Sequence, residues 1–231
     1  MCKYIDLDSV LFHSLEFSGQ DNRSERALIK LKYILESGFL YSRAKQQEKL
    51  GDKTELSRFF AEYNSPLFDW NWNGRDHISL CEKRFKKRAT IDSVAYNQYV
   101  QGCDGIGFIF PKSLIDEADL TRWKCLESEY QFKDQISLNK AIGVFCGLAS
   151  EKRVIEELCK ARDNGLDKDQ FINEIPNIFY SRQIENYRQI KDLLYSFGYD
   201  LPIYSTIDGY EVGNMQEIVS AFDFGPTSEM M

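Results

Sequence analysis

Two histidines, His13 and His77, and one close acid pair, Glu127 and Glu129, are the residues of this chain whose types and spacing best suit chemistry. His13 lies within Val10-Leu11-Phe12-His13-Ser14-Leu15, a run that reads as a strand. Strand alternation puts it on the face of Leu11 and Leu15, aimed inward or into a cleft. A hydrogen-bonded core histidine would fit that position as well as a ligand-binding one. His77 opens a second strand beside Asp76 and reads as a rim residue. Glu127-Ser128-Glu129 sets carboxylates two residues apart, so an extended chain turns both to one side of a sheet. Mutual repulsion then raises one of the two pKa values, which suits a carboxylate at a reaction centre, although acid pairs also decorate solvated edges.

Several familiar chemistries are absent. The glycines at 102, 105 and 107 neither follow the GxGxxG order nor open a helix, and GxxxxGK[ST], GxSxG and HExxH do not occur. Cysteines stand at 2, 81, 103, 125, 146 and 159 with no CxxC pair, so the spacing of a structural zinc site is missing and no metal is expected. Free thiols in a reducing compartment are the simplest account, with Cys81 and Cys146 in apolar strand contexts. A thiol nucleophile built on Cys103 or Cys81 with a histidine would need partners that no local motif supplies.

The elements that must position these groups follow from periodicity. Ala27, Leu28, Leu31, Ile34 and Leu35 recur at spacings of three and four, the stripe of an amphipathic helix, and Gly38 caps it. Phe39 to Ser42 continues as a short extended segment. Residues 43 to 76 are polar apart from the aromatic patch Leu67 to Trp72, the texture of a long connection or a lid over a ligand. His77 to Cys81, Ile106 to Phe110 and Ala141 to Cys146 read as central strands of one mixed or antiparallel sheet, with Glu129 to Phe132 as a further strand and Gly102-Cys103-Asp104-Gly105 as a tight turn. Beyond residue 150 the period becomes helical, over Glu151 to Arg162 and again over Ser181 to Phe197. The expected organisation is therefore a sheet domain over 1–150 and a helical appendage over 151–231, with terminal strands at Leu201 to Tyr204 and Tyr210 to Val212 and a frayed end from Gly225.

The chain has 231 residues, 29 basic and 36 acidic, a net charge of −7, with 43% apolar and 14% aromatic residues. That is too apolar for a disordered chain, and the acidic balance argues against a protein that lives on the phosphate backbone. The run Lys83-Arg84-Phe85-Lys86-Lys87-Arg88 is a local exception and reads as a solvated face. With no apolar signal core near the N-terminus and no 18-residue apolar run, the expectation is a cytoplasmic protein, or one delivered into a host cell without a cleaved signal, and no membrane partner.

Taken in order, three segments resemble the ADP-ribosyltransferase fold, the split antiparallel sheet shared by bacterial toxins and by the poly-ADP-ribose and tRNA 2'-phosphotransferase relatives. Leu11-Phe12-His13-Ser14 and the helix ending Ile34-Leu35-Glu36-Ser37-Gly38-Phe39-Leu40 are similar to the family's first strand, its histidine and the helix that follows. His77-Ile78-Ser79-Leu80 is similar to the central strand that carries a serine. Glu127-Ser128-Glu129-Tyr130-Gln131-Phe132 and the strand after it are similar to the catalytic-glutamate strand and its successor. The likeness spans roughly residues 9 to 147. Ser14 stands where the family has glycine, and Ile78-Ser79-Leu80 replaces a Ser-Thr-Ser run.

The resemblance implies an α+β fold with flanking helices and NAD as substrate, lying across the split. His13 would bond the adenosine ribose, the Ser14 backbone would sit near the carboxamide, Ser79 would line the site, and Tyr41 or an aromatic of the Phe68 to Trp72 patch would stack on nicotinamide. Glu129 would stabilise the oxocarbenium-like transition state and Glu127 would orient or deprotonate the acceptor, a protein or nucleic acid. Such a chain would be a mono-ADP-ribosyltransferase of toxin or effector type. The competing expectations are a non-catalytic interaction module on the same scaffold, using the aromatic segment, and a thiol hydrolase.

Overall fold

A computed structural model describes residues 3–15, 23–50, 77–82, 106–121, 129–175, 177–205 and 207–225. Glu127, Cys103, the aromatic patch at 67–72, the basic run at 83–88 and the turn at 102–105 lie outside the described residues. The strands are β1 (Val10–Ser14), β2 (Phe39–Tyr41), β3 (His77–Glu82), β4 (Ile106–Pro111), β5 (Leu120–Thr121), β6 (Glu129–Lys133), β7 (Gln135–Ser137), β8 (Gly143–Cys146) and β9 (Ile203–Ser205). The helices are α1 (Arg23–Ser37), α2 (Arg43–Leu50), α3 (Glu151–Asp163), α4 (Lys168–Glu174), α5 (Asn177–Ser196) and α6 (Met215–Ala221).

Among the described residues one seven-stranded sheet has the order β5-β6-β3-β1-β4-β8-β9, and β2 and β7 form a separate pair. Every pairing in the large sheet is antiparallel except β8 with β9, so the sheet is mixed and the chain is α+β. The apolar runs of β4 and β8 follow from burial on both faces. On one face Leu11, Leu80, Phe108, Phe110 and Val144 pack beneath Ala27, Leu31 and Leu35 of α1 and beneath Ile190 and Leu194 of α5. On the other face Val10, Ile109, Phe145 and Tyr204 form a smaller cluster. Each fully covered Leu or Phe contributes roughly 1.5–3 kcal/mol of burial, so this two-sided packing holds the sheet.

Residues 43 to 50, expected as polar connection, form α2. Ser42 begins the helix, its Oγ accepting from the Lys45 amide at 3.2 Å, and the good helix formers that follow sustain it. The helices after residue 150 do not form one separate appendage. Ile190 and Leu194 of α5 belong to the main core, and β9 extends the main sheet through Val144↔Ile203 and Cys146↔Ser205. Helices α3, α4 and α6 gather around a second small core of Val154, Leu158, Phe171, Met215 and Val219. Tyr210 to Val212, expected as a strand, contributes only isolated bridges, Tyr4↔Tyr210 and Tyr204↔Glu211. No helix among the described residues is long and apolar enough to cross a membrane.

Candidate functional site

Strands β1 and β3 pair only through Leu11↔Glu82 and Phe12↔Cys81. Each continues beyond that point with its other neighbour: β1 pairs with β4 as far as Ser14↔Gly107, and β3 pairs with β6 as far as His77↔Lys133. The central sheet is thus forked, closed at the Leu11 end and open toward Ser14 and His77. His13 sits where the strands part, and its Nδ1 lies 3.0 Å from the Ser79 carbonyl oxygen. A side chain has replaced the main-chain ladder.

A carbonyl oxygen can only accept, so Nδ1 carries the proton. Burial pushes the His13 pKa below its usual value; the Ser79 bond opposes that shift, and the charge of nearby Lys30 adds to it. The ring is therefore neutral at pH 7, with Nε2 an acceptor suited to a hydroxyl donor. The half-buried histidine lies opposite Phe108, so one wall of its surroundings is apolar.

Gly107 keeps the fork's β4 arm close. A Cβ there would collide with the His13 carbonyl oxygen and the Phe145 ring, which is why a strand interior otherwise rich in Ile and Phe carries glycine. Ser14 lies opposite Gly107 at the open end of β1. Lys30 of α1 is 7% exposed and donates to the Leu15 carbonyl at 2.7 Å, tying down the chain just after β1.

The expected acids are placed only in part. Glu129 begins β6 opposite Cys81, at the closed part of the fork, one strand away from β1. The residue facing Ser79 across the β3–β6 ladder is Gln131, 3% exposed. Gln131 was not singled out from the sequence; a glutamine inside a strand carries no motif, and its burial is the only signal. Tyr41 lies on β2, stacked on Phe39 at 5.7 Å between ring centroids with the Lys49 ammonium 5.1 Å from its ring. Its neighbour Leu40 turns the opposite way into the core. His77 is half-buried at the mouth of the fork, opposite Lys133. Cys146 is buried and Cys159 half-buried. No group of three or more acids, histidines or cysteines among the described residues could hold a metal ion.

A buried acid, Glu82, closes the other end of the fork. Glu82 ends β3 with its side chain 4% exposed, accepts from the Tyr130 hydroxyl at 3.0 Å and pairs with the Lys112 ammonium at 3.0 Å. It bridges β3 to the turn after β4 over the start of β1. Comparison with protein-family models, curated proteins and solved structures finds no match for this chain.

Proposed function

We propose that this chain is an NAD-dependent mono-ADP-ribosyltransferase of toxin or effector type, with a protein or nucleic acid as acceptor. The observation that carries the reading is the parted sheet with a neutral histidine in the opening. Three strands expected to supply the site, β1 with His13, β3 with Ser79 and β6 with Glu129, are neighbours in that sheet. The ADP-ribosyltransferase type of split sheet is the finer form of the mixed α+β architecture described above.

On this reading His13 Nε2 accepts a hydroxyl of the adenosine ribose, the Ser14 backbone meets the carboxamide, and Tyr41 supplies the aromatic surface for nicotinamide. The bond between nicotinamide nitrogen and ribose carbon breaks, its electron pair leaving with nicotinamide. Glu129 stabilises the positive charge that develops on the ribose, help worth several kcal/mol when preorganised. The acceptor attacks that carbon and gives its proton to Glu127. The test is nicotinamide release from labelled NAD by the wild type and by Glu129→Gln. Loss of at least a hundredfold in the variant supports the assignment; equal turnover removes Glu129 from the mechanism, and calorimetric silence with NAD removes the activity.

A second reading, a non-catalytic module on the same scaffold, draws on Gln131. A neutral amide faces Ser79 where a carboxylate would be better placed to stabilise a cation. NAD binding without nicotinamide release, or partners retained by His13→Ala with Glu129→Gln, would favour it.

A further inference from the structure

Lys30 stands three residues after Ala27 and four before Ile34, inside the apolar stripe of α1, and it is nearly as buried as they are. An ammonium so placed is costly unless it is held by hydrogen bonds. Its Nζ donates to the Leu15 carbonyl at 2.7 Å, two residues past His13 on the same side of the chain. We propose that Lys30 is a positioning residue for the fork: it anchors the exit of β1 and presents the His13 imidazole to the ligand as a hydroxyl acceptor.

The physical case has two parts. The tie fixes where β1 leaves the sheet, and β1 carries His13 and Ser14, so a slack exit would misplace both groups by the fraction of an ångström that binding sites do not tolerate. The charge acts separately. β4 places Phe108 opposite His13, β3 presents the Ser79 carbonyl to the ring, and α1 holds the Lys30 ammonium on the Leu15 carbonyl two residues along the chain. A cation at that side disfavours a second proton on the ring and so keeps Nε2 as an acceptor. The role assigned to Lys30 rests on the reading of His13 as the ligand-facing group.

The experiment follows the His13 ring by nitrogen-detected NMR in the full chain carrying His77→Gln, so that a single histidine reports. Lys30→Gln keeps a donor for Leu15 and removes the charge; Lys30→Arg keeps the charge. The expected result is a higher His13 midpoint in Lys30→Gln, restored in Lys30→Arg. A midpoint restored as far as the ordinary 6.5 would leave about a quarter of the rings neutral at pH 6, so NAD binding there should weaken by up to about fourfold, and less at pH 7.5. An unchanged or lower midpoint in a folded Lys30→Gln overturns the proposal. Should that variant not fold, the unaltered chain decides: the Lys30 side-chain resonance must inflect at the His13 midpoint, and a flat response overturns the coupling. The ring titration needs no NAD, so an NAD-silent protein would end the proposed activity while leaving this coupling independently measured.

Discussion

The His13 imidazole spans the gap between β1 and β3 by donating from Nδ1 to the Ser79 carbonyl at 3.0 Å, at the point where the two main chains cease to pair. It ties the two arms of the fork together, and on the proposed reading its Nε2 is the acceptor for NAD. Removing it takes the His13 donor from the Ser79 carbonyl. His13→Ala should lower stability by about 1–2 kcal/mol, read by denaturant melts, and weaken NAD binding at least roughly tenfold by calorimetry. Full NAD affinity in a folded His13→Ala would show that the fork is structural only.

The same ring gives a pH dependence whose sign is fixed. Its folded-state pKa is lower than the ordinary 6.5, chiefly through burial, so near and below that pH the unfolded chain binds the extra proton more readily than the folded one. The stabilisation from the neutral ring is complete above pH 6.5 and is lost as pH falls toward the folded value. Thermal melts from pH 7.5 to 5 should therefore fall more steeply for the wild type than for His13→Gln. Parallel profiles would contradict the burial of this group.

Gly107 sets the distance between β4 and β1. Gly107→Ala places a methyl against the Phe145 ring and the His13 carbonyl oxygen, and that backbone oxygen cannot withdraw without moving a strand. The expected loss is about 1–3 kcal/mol, with weaker ligand binding as a consequence of the shifted His13. A variant as stable as the wild type would mean that β4 slides freely along β1.

At the closed end, Lys112→Met deprives a carboxylate that is 4% exposed of its ammonium and should cost about 1–3 kcal/mol. Lys140→Met removes an ion pair with Glu117 in which both side chains are largely in solvent, and should stay within about 0.5 kcal/mol. Equal losses in chemical melts would show that burial of Glu82 does not set the value of its pair.

Much of this architecture was legible from local pattern. The stripe from Ala27 to Leu35 and the terminating Gly38, at φ +73, are helix α1, and the apolar runs at 106–110 and 141–146 supply β4 and β8. His13 was legible as an inward-facing group. Its partner was not, because the Ser79 carbonyl belongs to the backbone and no residue type announces it. Lys30 did leave a signal, a cation at a stripe position where an apolar residue belongs. The helices beyond residue 150 were legible as helices. That Ile190 and Leu194 complete the main core depends on how α5 packs against α1, which periodicity within a helix does not encode.

The parallel pairing of β8 with β9 has a consequence for synthesis. Among the described residues every other strand of the large sheet precedes residue 147, yet the partner of β8 on its outer edge is a segment beginning at Ile203. A growing chain emerging from the ribosome therefore passes through a long interval in which Val144 and Phe145 have no cover on that side. Release short of Ile203 would leave a molecule able to recruit a stray strand from another copy, so premature termination here should yield aggregates rather than a smaller working protein.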